Sequence, residues 1–262
     1  MISSDDPVRV YQRYATLDAV SAGRAEVILG RGSSTESFPL FGYDLNDYEE
    51  LFEEKVALFA ELLKEKPVTW SGNTRAALDG ISVYPHSETG SIPTWIGVGG
   101  SPRSVIRTAQ YGFSLMLAII GGDIARFAPF SELYRRALAE FGHPARPIGV
   151  HAPGHVAATD EQAVEEFVPA FQELIRSVAR QRGFRTPTRE SLMQDVGPGG
   201  ALHRRITWKP SPERSRTPSR PSTRPVSNLK YGITGMPHDT LMTNIELYGT
   251  KVAPLVRELM AD

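Results

Sequence analysis

The 262-residue chain predicts an α/β fold built from parallel βα units. Three observations carry this. Short apolar runs and amphipathic stretches alternate five times along the chain, the pattern of strands joined by crossover helices. The run Ser114-Leu115-Met116-Leu117-Ala118-Ile119-Ile120 is continuously apolar after its first residue, as in a strand buried on both faces of a parallel sheet. Glycines follow several of the strand candidates, where the chain must turn into a helix. Five such units suit an open doubly wound sheet and equally part of a barrel. In either architecture ligands sit at the C-terminal ends of the strands, so the loops after Gly30, Val98, Ile120, His151 and Tyr231 should line one face.

Taken in order, Asp5 or Asp6 caps a first helix with Pro7 in its opening turn, and Val10, Tyr11, Tyr14, Leu17 and Val20 keep helical spacing until Gly23. Glu26 to Gly30 is a strand that runs into the polar loop Arg31 to Glu36. Asn46 or Asp47 opens a helix with Tyr48, Leu51, Phe52, Val56, Phe59, Leu62 and Leu63 inward. Val68 to Pro85 reads as an excursion of short strands.

The stretch from Pro93 to Ser104 is an apolar run, two glycines and a Ser-Pro, hence strand, tight loop and helix N-terminus, with the helix covering Ser104 to Tyr111. Free N–H groups and the positive end of the helix dipole make such a corner fit for an anion, most often a phosphate; its bland reading is turn geometry alone. The Ser114 to Ile120 strand ends at Gly121-Gly122, and a helix carrying Phe127, Phe130, Tyr134, Ala137, Leu138 and Phe141 runs to Gly142. Pro147 to His151 is a strand. Thr159 or Asp160 then caps a long helix with Val164, Phe167, Val168, Phe171, Leu174, Ile175 and Val178 inward. Regularity returns at Leu229-Lys230-Tyr231-Gly232, and a final helix from His238 to Met260 places Leu241, Met242, Ile245, Tyr248, Val252, Leu255, Val256 and Leu259 inward, with a kink at Pro254.

Composition narrows the chemistry. There are no cysteines, which removes disulfides, thiolate metal sites and thiol nucleophiles. No apolar run reaches the ~20 residues of a membrane span, and the acidic N-terminus lacks a signal pattern, so a cytoplasmic protein with no membrane contact is expected. Leu202 to Ser227 holds seven Lys or Arg against the single acid Glu213, with five prolines and five serines, so it reads as a disordered basic insert. The acidic remainder argues against a nucleic-acid partner. His151 and His155 form a close pair, but His-Ala-Pro-Gly-His cannot present a helical ligand face and no acid has metal spacing, so no metal is expected. Glu36 and Asp44 read as loop caps.

The runs AVSAGRAEVILGRGS, ELFEEKVALFAELL, PTWIGVGGSPRSVIRTAQYG, SLMLAIIGG, LKYG, MPHDTLM and IELYGTKVAPLVREL resemble, in this order, the luciferase-like flavin-dependent monooxygenases, a family with bacterial luciferase, alkanesulfonate monooxygenase and deazaflavin-dependent reductases. The resemblance covers most of residues 4–201 and 228–260. It implies a (β/α)8 barrel, here a partial TIM barrel of roughly the last five units, because Met1 falls near the end of the family's third strand. The implied segments are a partial barrel over 1–201, an irregular Arg/Ser/Pro-rich segment over 202–228, and the last barrel strand with the C-terminal helix over 229–262. The family has an amphipathic helix where the insert stands. With codons freely chosen, the residues from Ile206 read one frame over as such a helix, so compensating frameshifts are one account of the segment and a genuine linker or docking tail the other.

The resemblance also implies a chemistry. Reduced FMN, supplied by a separate flavin reductase, would react with oxygen on a small organic substrate; a deazaflavin coenzyme transferring hydride is the alternative. Ser101 and Ser104, with the backbone around Gly100, would hold the flavin phosphate, and Arg31 would add a charge-assisted contact. Gly99, Gly121 and Gly122 would let the backbone approach the flavin, and Lys230 and Tyr231 would face its ring. Against this stands an inactive remnant, or a fragment needing strands from a partner, and a homo-oligomer is open.

Overall fold

The computed structural model describes residues 1–32, 35–120, 124–182, 186, 188–196, 226–230, 232–233 and 235–261. Helix α1 spans Pro7–Val20; Oδ1 of Asp6 accepts from the Val8 N–H at 2.8 Å, and Pro7 opens the first turn. Strand β1 is Val27–Leu29, with Val27 and Leu29 buried and Ile28 exposed. A short helix that the sequence did not announce, α2 (Ser37–Leu40), precedes a 3-10 turn at Leu45–Asp47, which Asp44 caps by accepting from Asn46 N–H at 2.8 Å.

Helix α3 is Tyr48–Leu62, with Leu51, Phe52, Val56, Phe59 and Leu62 buried as their spacing requires. Lys55 is buried on the same face. The excursion is a two-stranded antiparallel sheet of β2 (Val68–Trp70) and β3 (Leu78–Ile81).

Strand β4 (Thr94–Val98) leads into α4 (Pro102–Gln110), which begins two residues earlier than the expected Ser104 because Pro102 takes the first helical position and Ser101 caps it. Strand β5 is Ser114–Ala118, shorter than the apolar run; Ile120 lies beyond it and is exposed. A 3-10 turn at Ile124–Phe127 precedes α5 (Ala128–Glu140), where Phe141 proves exposed rather than inward. Strand β6 is Ile148–Pro153 and α6 is Asp160–Arg182, whose cap is Thr159, accepting from Gln162 N–H at 3.1 Å. Helix α7 (Arg189–Val196) has no counterpart in the sequence reading. Strand β7 is Val226–Lys230 and so starts within the stretch 202–228 read as irregular. Residues 197–225, and with them most of the basic insert and its frameshift reading, lie outside the described residues.

The final helix is interrupted. Helix α8 (His238–Leu247) passes through a π-helical turn, Tyr248–Val252, before α9 (Ala253–Ala261), so the break falls just ahead of Pro254. The expected inward face is also rotated: Met242, Ile245 and Val256 are exposed, and Asn244 is buried.

The strands β1, β4, β5, β6 and β7 hydrogen-bond in that order in one sheet. Register pairs β1 with β4 in parallel (Leu29 with Ile96) and β6 with β7 in parallel (Gly149 with Val226 to Pro153 with Lys230). The order follows the sequence without the reversal that defines a doubly wound sheet, so of the two architectures the winding matches the barrel type.

The chain divides into two compact units, Met1–Met116 with Glu132–Ile148, and Leu117–Ser131 with Gly149–Asp262. In the first, Val27, Leu29, Ile96 and Val98 of the strands are buried, as are Phe52, Val56 and Phe59 of α3, and α1 packs on α3. In the second, Phe167, Val168 and Phe171 of α6 pack with Leu192, Ile233 and Met236.

Candidate functional site

The corner between β4 and α4, where the sequence leads one to expect an anion, lies in the first unit. Strand β4 ends at Val98, and Gly99 and Gly100 are exposed. Gly100 has φ +127°, a backbone state that L residues avoid, while a Cβ at either glycine would meet nothing within 4 Å. The corner is therefore open above its backbone. Below it, Ser101 Oγ accepts a long hydrogen bond from Ser104 N–H at 3.4 Å, the N-cap interaction of α4. Ser104 itself is 3% exposed, and its hydroxyl has no hydrogen-bond partner among the described residues. A buried hydroxyl in this state carries a cost of about 1–3 kcal/mol that a bound acceptor would remove. The first turn of a helix adds N–H groups with no intrahelical partner and the positive end of its dipole.

Arg31 follows β1. Continuing the β1–β4 register two residues past Leu29 and Ile96 sets Arg31 level with Val98, at the start of the same corner. Its guanidinium is ion-paired with Glu49 through Nη1 and lies 5.2 Å over the Tyr48 ring, and the Tyr48 hydroxyl donates to the Gly32 carbonyl at 3.1 Å. Glu49 also faces Arg107 of α4, Oε2 to Nη2 at 3.6 Å; Arg107 reaches Glu53 at 3.4 Å, and Arg103 reaches Glu53 at 2.5 Å. The Arg107 guanidinium is stacked 5.2 Å over Phe52. Glu53, Arg103, Ile106, Arg107, Gln110 and Tyr111 line a cavity of about 530 Å³ beside this chain of charges. Burial there raises the Tyr111 phenol, against the pull of Arg107, so it remains a neutral donor.

The other sequence candidates divide. Gly99, Gly100, Ser101, Ser104 and Arg31 belong to one unit and one end of two adjacent parallel strands. Lys230 ends β7 with an exposed side chain, and its carbonyl accepts from Gly154 N–H at 3.1 Å. Gly121, Gly122 and Tyr231 lie outside the described residues.

A second polar cluster, in the other unit, has no counterpart in the sequence reading. His155 is 3% exposed; its Nε2 is 2.5 Å from Glu166 Oε2, and its Nδ1 is 2.7 Å from Nδ2 of Asn244, which also donates to the Val156 carbonyl at 2.8 Å. Gln162 Nε2 holds the other oxygen of Glu166 at 2.7 Å. The sequence signal is an asparagine at core spacing between Leu241 and Tyr248, and a histidine weighed only as a metal ligand. Among the described residues no group of three or more His, Cys, Asp or Glu is placed to hold a metal ion, and no helix is long and apolar enough to cross a membrane.

A parallel sheet wound in sequence order, with a glycine turn and a helix N-terminus at the C-terminal end of β4, defines an α/β protein. Comparison with known proteins makes this particular. The model of luciferase-like monooxygenases matches residues 1–219, so the chain belongs to that family. It is 22% identical over 96% of its length to the uncharacterized protein y4vJ of Sinorhizobium fredii, of which it spans 74%. It is 24% identical over 62% of its length to the alkanal monooxygenase alpha chain of Aliivibrio fischeri, and that match spans 45% of the relative.

Among solved structures, monooxygenase RslO1 from Streptomyces bottropensis superposes with a TM-score of 0.68 at 18% identity, covering 97% of this chain and 76% of that one. The oxygenating constituent of 3,6-diketocamphane monooxygenase from Pseudomonas putida, in complex with FMN, gives 0.67 at 14% identity over the same shares. An F420-dependent secondary alcohol dehydrogenase gives 0.55 at 19% identity, covering 72% and 57%. At these identities the structures establish the fold.

Proposed function

We propose that the chain is a flavin-dependent oxidoreductase of the monooxygenase type, acting on a small organic molecule, with the β4–α4 corner as the seat of the flavin phosphate. The observation that carries this is the Ser104 hydroxyl, buried without a partner among the described residues in the first turn of α4, a helix that follows two exposed glycines.

The donors fit a phosphate in kind and number. Ser101 and Ser104 supply hydroxyls, the first turn of α4 supplies N–H groups, Gly99 and Gly100 leave room for close approach, and Arg31 supplies the charge. FMN bound in reduced form, delivered by a separate reductase, would supply the electrons for oxygen chemistry. The protein's part is to grip the phosphate, orient the ring and exclude water. A deazaflavin coenzyme is the second reading, supported by the likeness to the F420-dependent dehydrogenase.

Titration of the apo-protein with FMN, riboflavin and F420, followed by flavin fluorescence, separates these readings. The cradle requires FMN to bind at least about tenfold more tightly than riboflavin, since a charge-assisted contact is worth roughly 1.5–3 kcal/mol. Equal affinities refute it, F420 binding more tightly than FMN favours hydride transfer, and binding of none of them points to a fragment that needs partner strands.

A further inference from the structure

We infer that Glu49 is a positioning residue for the anion corner, holding Arg31 in register with the N-terminus of α4; this rests on the reading of that corner as a phosphate site. Helix α3 is the common support. Its first residue, Tyr48, underlies the Arg31 guanidinium and ties the β1 loop through the Gly32 carbonyl. Its second, Glu49, takes Arg31 on one carboxylate oxygen and faces Arg107 of α4 with the other. One turn on, Phe52 carries the Arg107 guanidinium and Glu53 meets both Arg107 and Arg103.

The two halves of the corner, one on the β1 loop and one on α4, are therefore linked through the carboxylates of a single helix. Arg107 is the fixed point of this chain, since its side chain is 8% exposed. Arg31, by contrast, sits on a loop with a side chain that is 25% exposed, and needs a partner to hold it.

Charge and donor geometry make this a support rather than a blockade. Three guanidinium groups face two carboxylates, so the chain keeps one positive charge for an incoming anion. The pair to Glu49 runs through Nη1 of Arg31. A guanidinium has five N–H donors in a planar fork, so a carboxylate on one edge leaves another edge to present to a phosphate. Glu49 thus fixes the plane and reach of Arg31 without consuming its binding capacity.

The test is a double-mutant cycle of E49Q and R31Q, read by FMN and riboflavin affinity. In the wild type FMN must bind more tightly than riboflavin; if it does not, the phosphate reading fails, and the role of Glu49 with it. Given that preference, E49Q should weaken FMN about five- to tenfold and leave riboflavin unchanged, E49D should recover part of the loss, and E49Q should have no further effect in the R31Q background. Three results overturn the role of Glu49 while leaving the phosphate site standing. These are unchanged FMN affinity in E49Q, tighter FMN binding, which would make Glu49 a competitor, and an equal loss for both flavins, which would make it merely structural.

Discussion

Asn244 places its amide nitrogen 2.7 Å from Nδ1 of His155 and 2.8 Å from the carbonyl oxygen of Val156. A carbonyl only accepts, so the NH2 end of the amide must face it, and Nδ1 must then be an acceptor as well. The ring proton is left on Nε2, where Glu166 Oε2 receives it at 2.5 Å. One backbone carbonyl thereby sets the tautomer of a buried histidine, and α6, α8 and the segment after β6 are joined through it.

The tautomer is directly measurable. Nitrogen-15 chemical shifts of His155 in mildly alkaline buffer should show a protonated Nε2 and a bare Nδ1. The reverse pattern would require the amide to be turned, with its oxygen set against the Val156 carbonyl. Asn244→Leu removes the donor for both acceptors in a site where neither can turn to water. It should cost about 2 kcal/mol or more in denaturant unfolding.

Glu54 should make the β2–β3 hairpin acid-sensitive. Burial pushes its carboxyl up, but hydrogen bonds from Thr74 Oγ1 (2.7 Å), Thr74 N–H (2.9 Å) and Asn73 N–H (2.7 Å), with the charge of Lys55, together hold it below its ordinary value. A carboxyl depressed on folding stabilises the native state above the ordinary carboxylate range, near pH 4 to 5, and the contribution is lost as pH falls through its folded value. The protection factors of the Asn73 and Thr74 amides, corrected for intrinsic exchange at each pH, should therefore fall below about pH 4 in the wild type. In Glu54→Gln they should be lower at neutral pH and flat across the same range. An unchanged acid dependence in that variant would assign the effect elsewhere.

Lys55 anchors the N-terminal segment. The residue is 1% exposed; its ammonium donates to the Ser3 carbonyl at 2.7 Å and lies 3.9 Å from the centre of the Tyr43 ring. Lys55→Met keeps the stem and loses the charge, leaving the Ser3 carbonyl and the ring without their partner. The expected cost is about 1–3 kcal/mol. The Ile2 N–H, which donates to the Gly30 carbonyl at 3.2 Å, should also lose exchange protection. Full retention of that protection would show that the segment is held by packing alone.

The strands and long helices are legible in the sequence because their signals are local. Asp6-Pro7, Thr159 and Ser101-Pro102 announce helix starts, and the apolar spacing of α3 gives most of its buried face, missing Lys55 and Leu58 and placing the half-buried Tyr48 and Leu63 inward. The β4–α4 turn is legible for the same reason, since two glycines and a Ser-Pro after a strand describe it by themselves. Partners across the chain are not. Glu49 and Arg107 lie 58 residues apart, and Asn244 and His155 lie 89 apart. No periodicity connects such pairs. Helix α8 shows the consequence: hydropathy turns Met242 and Ile245 inward, whereas the hydrogen bonds that Asn244 makes rotate the helix the other way.

Ser101 and Ser104, three residues apart on one helix end, should respond differently to alanine. Ser101 caps α4 through its hydroxyl, so Ser101→Ala should lower stability by about 1 kcal/mol. The Ser104 hydroxyl is buried with no partner among the described residues, so Ser104→Ala removes a desolvated polar group; it should leave stability unchanged or raise it by about 1 kcal/mol. Under the phosphate reading the same change should weaken FMN about tenfold and spare riboflavin, because a hydroxyl donating to a charged oxygen is worth roughly 1.5 kcal/mol. A gain in stability with a loss of ligand is what a residue kept for binding shows, since packing alone would have favoured the smaller side chain. Denaturant unfolding of both variants, beside the two flavin titrations, decides it: a destabilised Ser104→Ala variant would mean that its hydroxyl serves the fold.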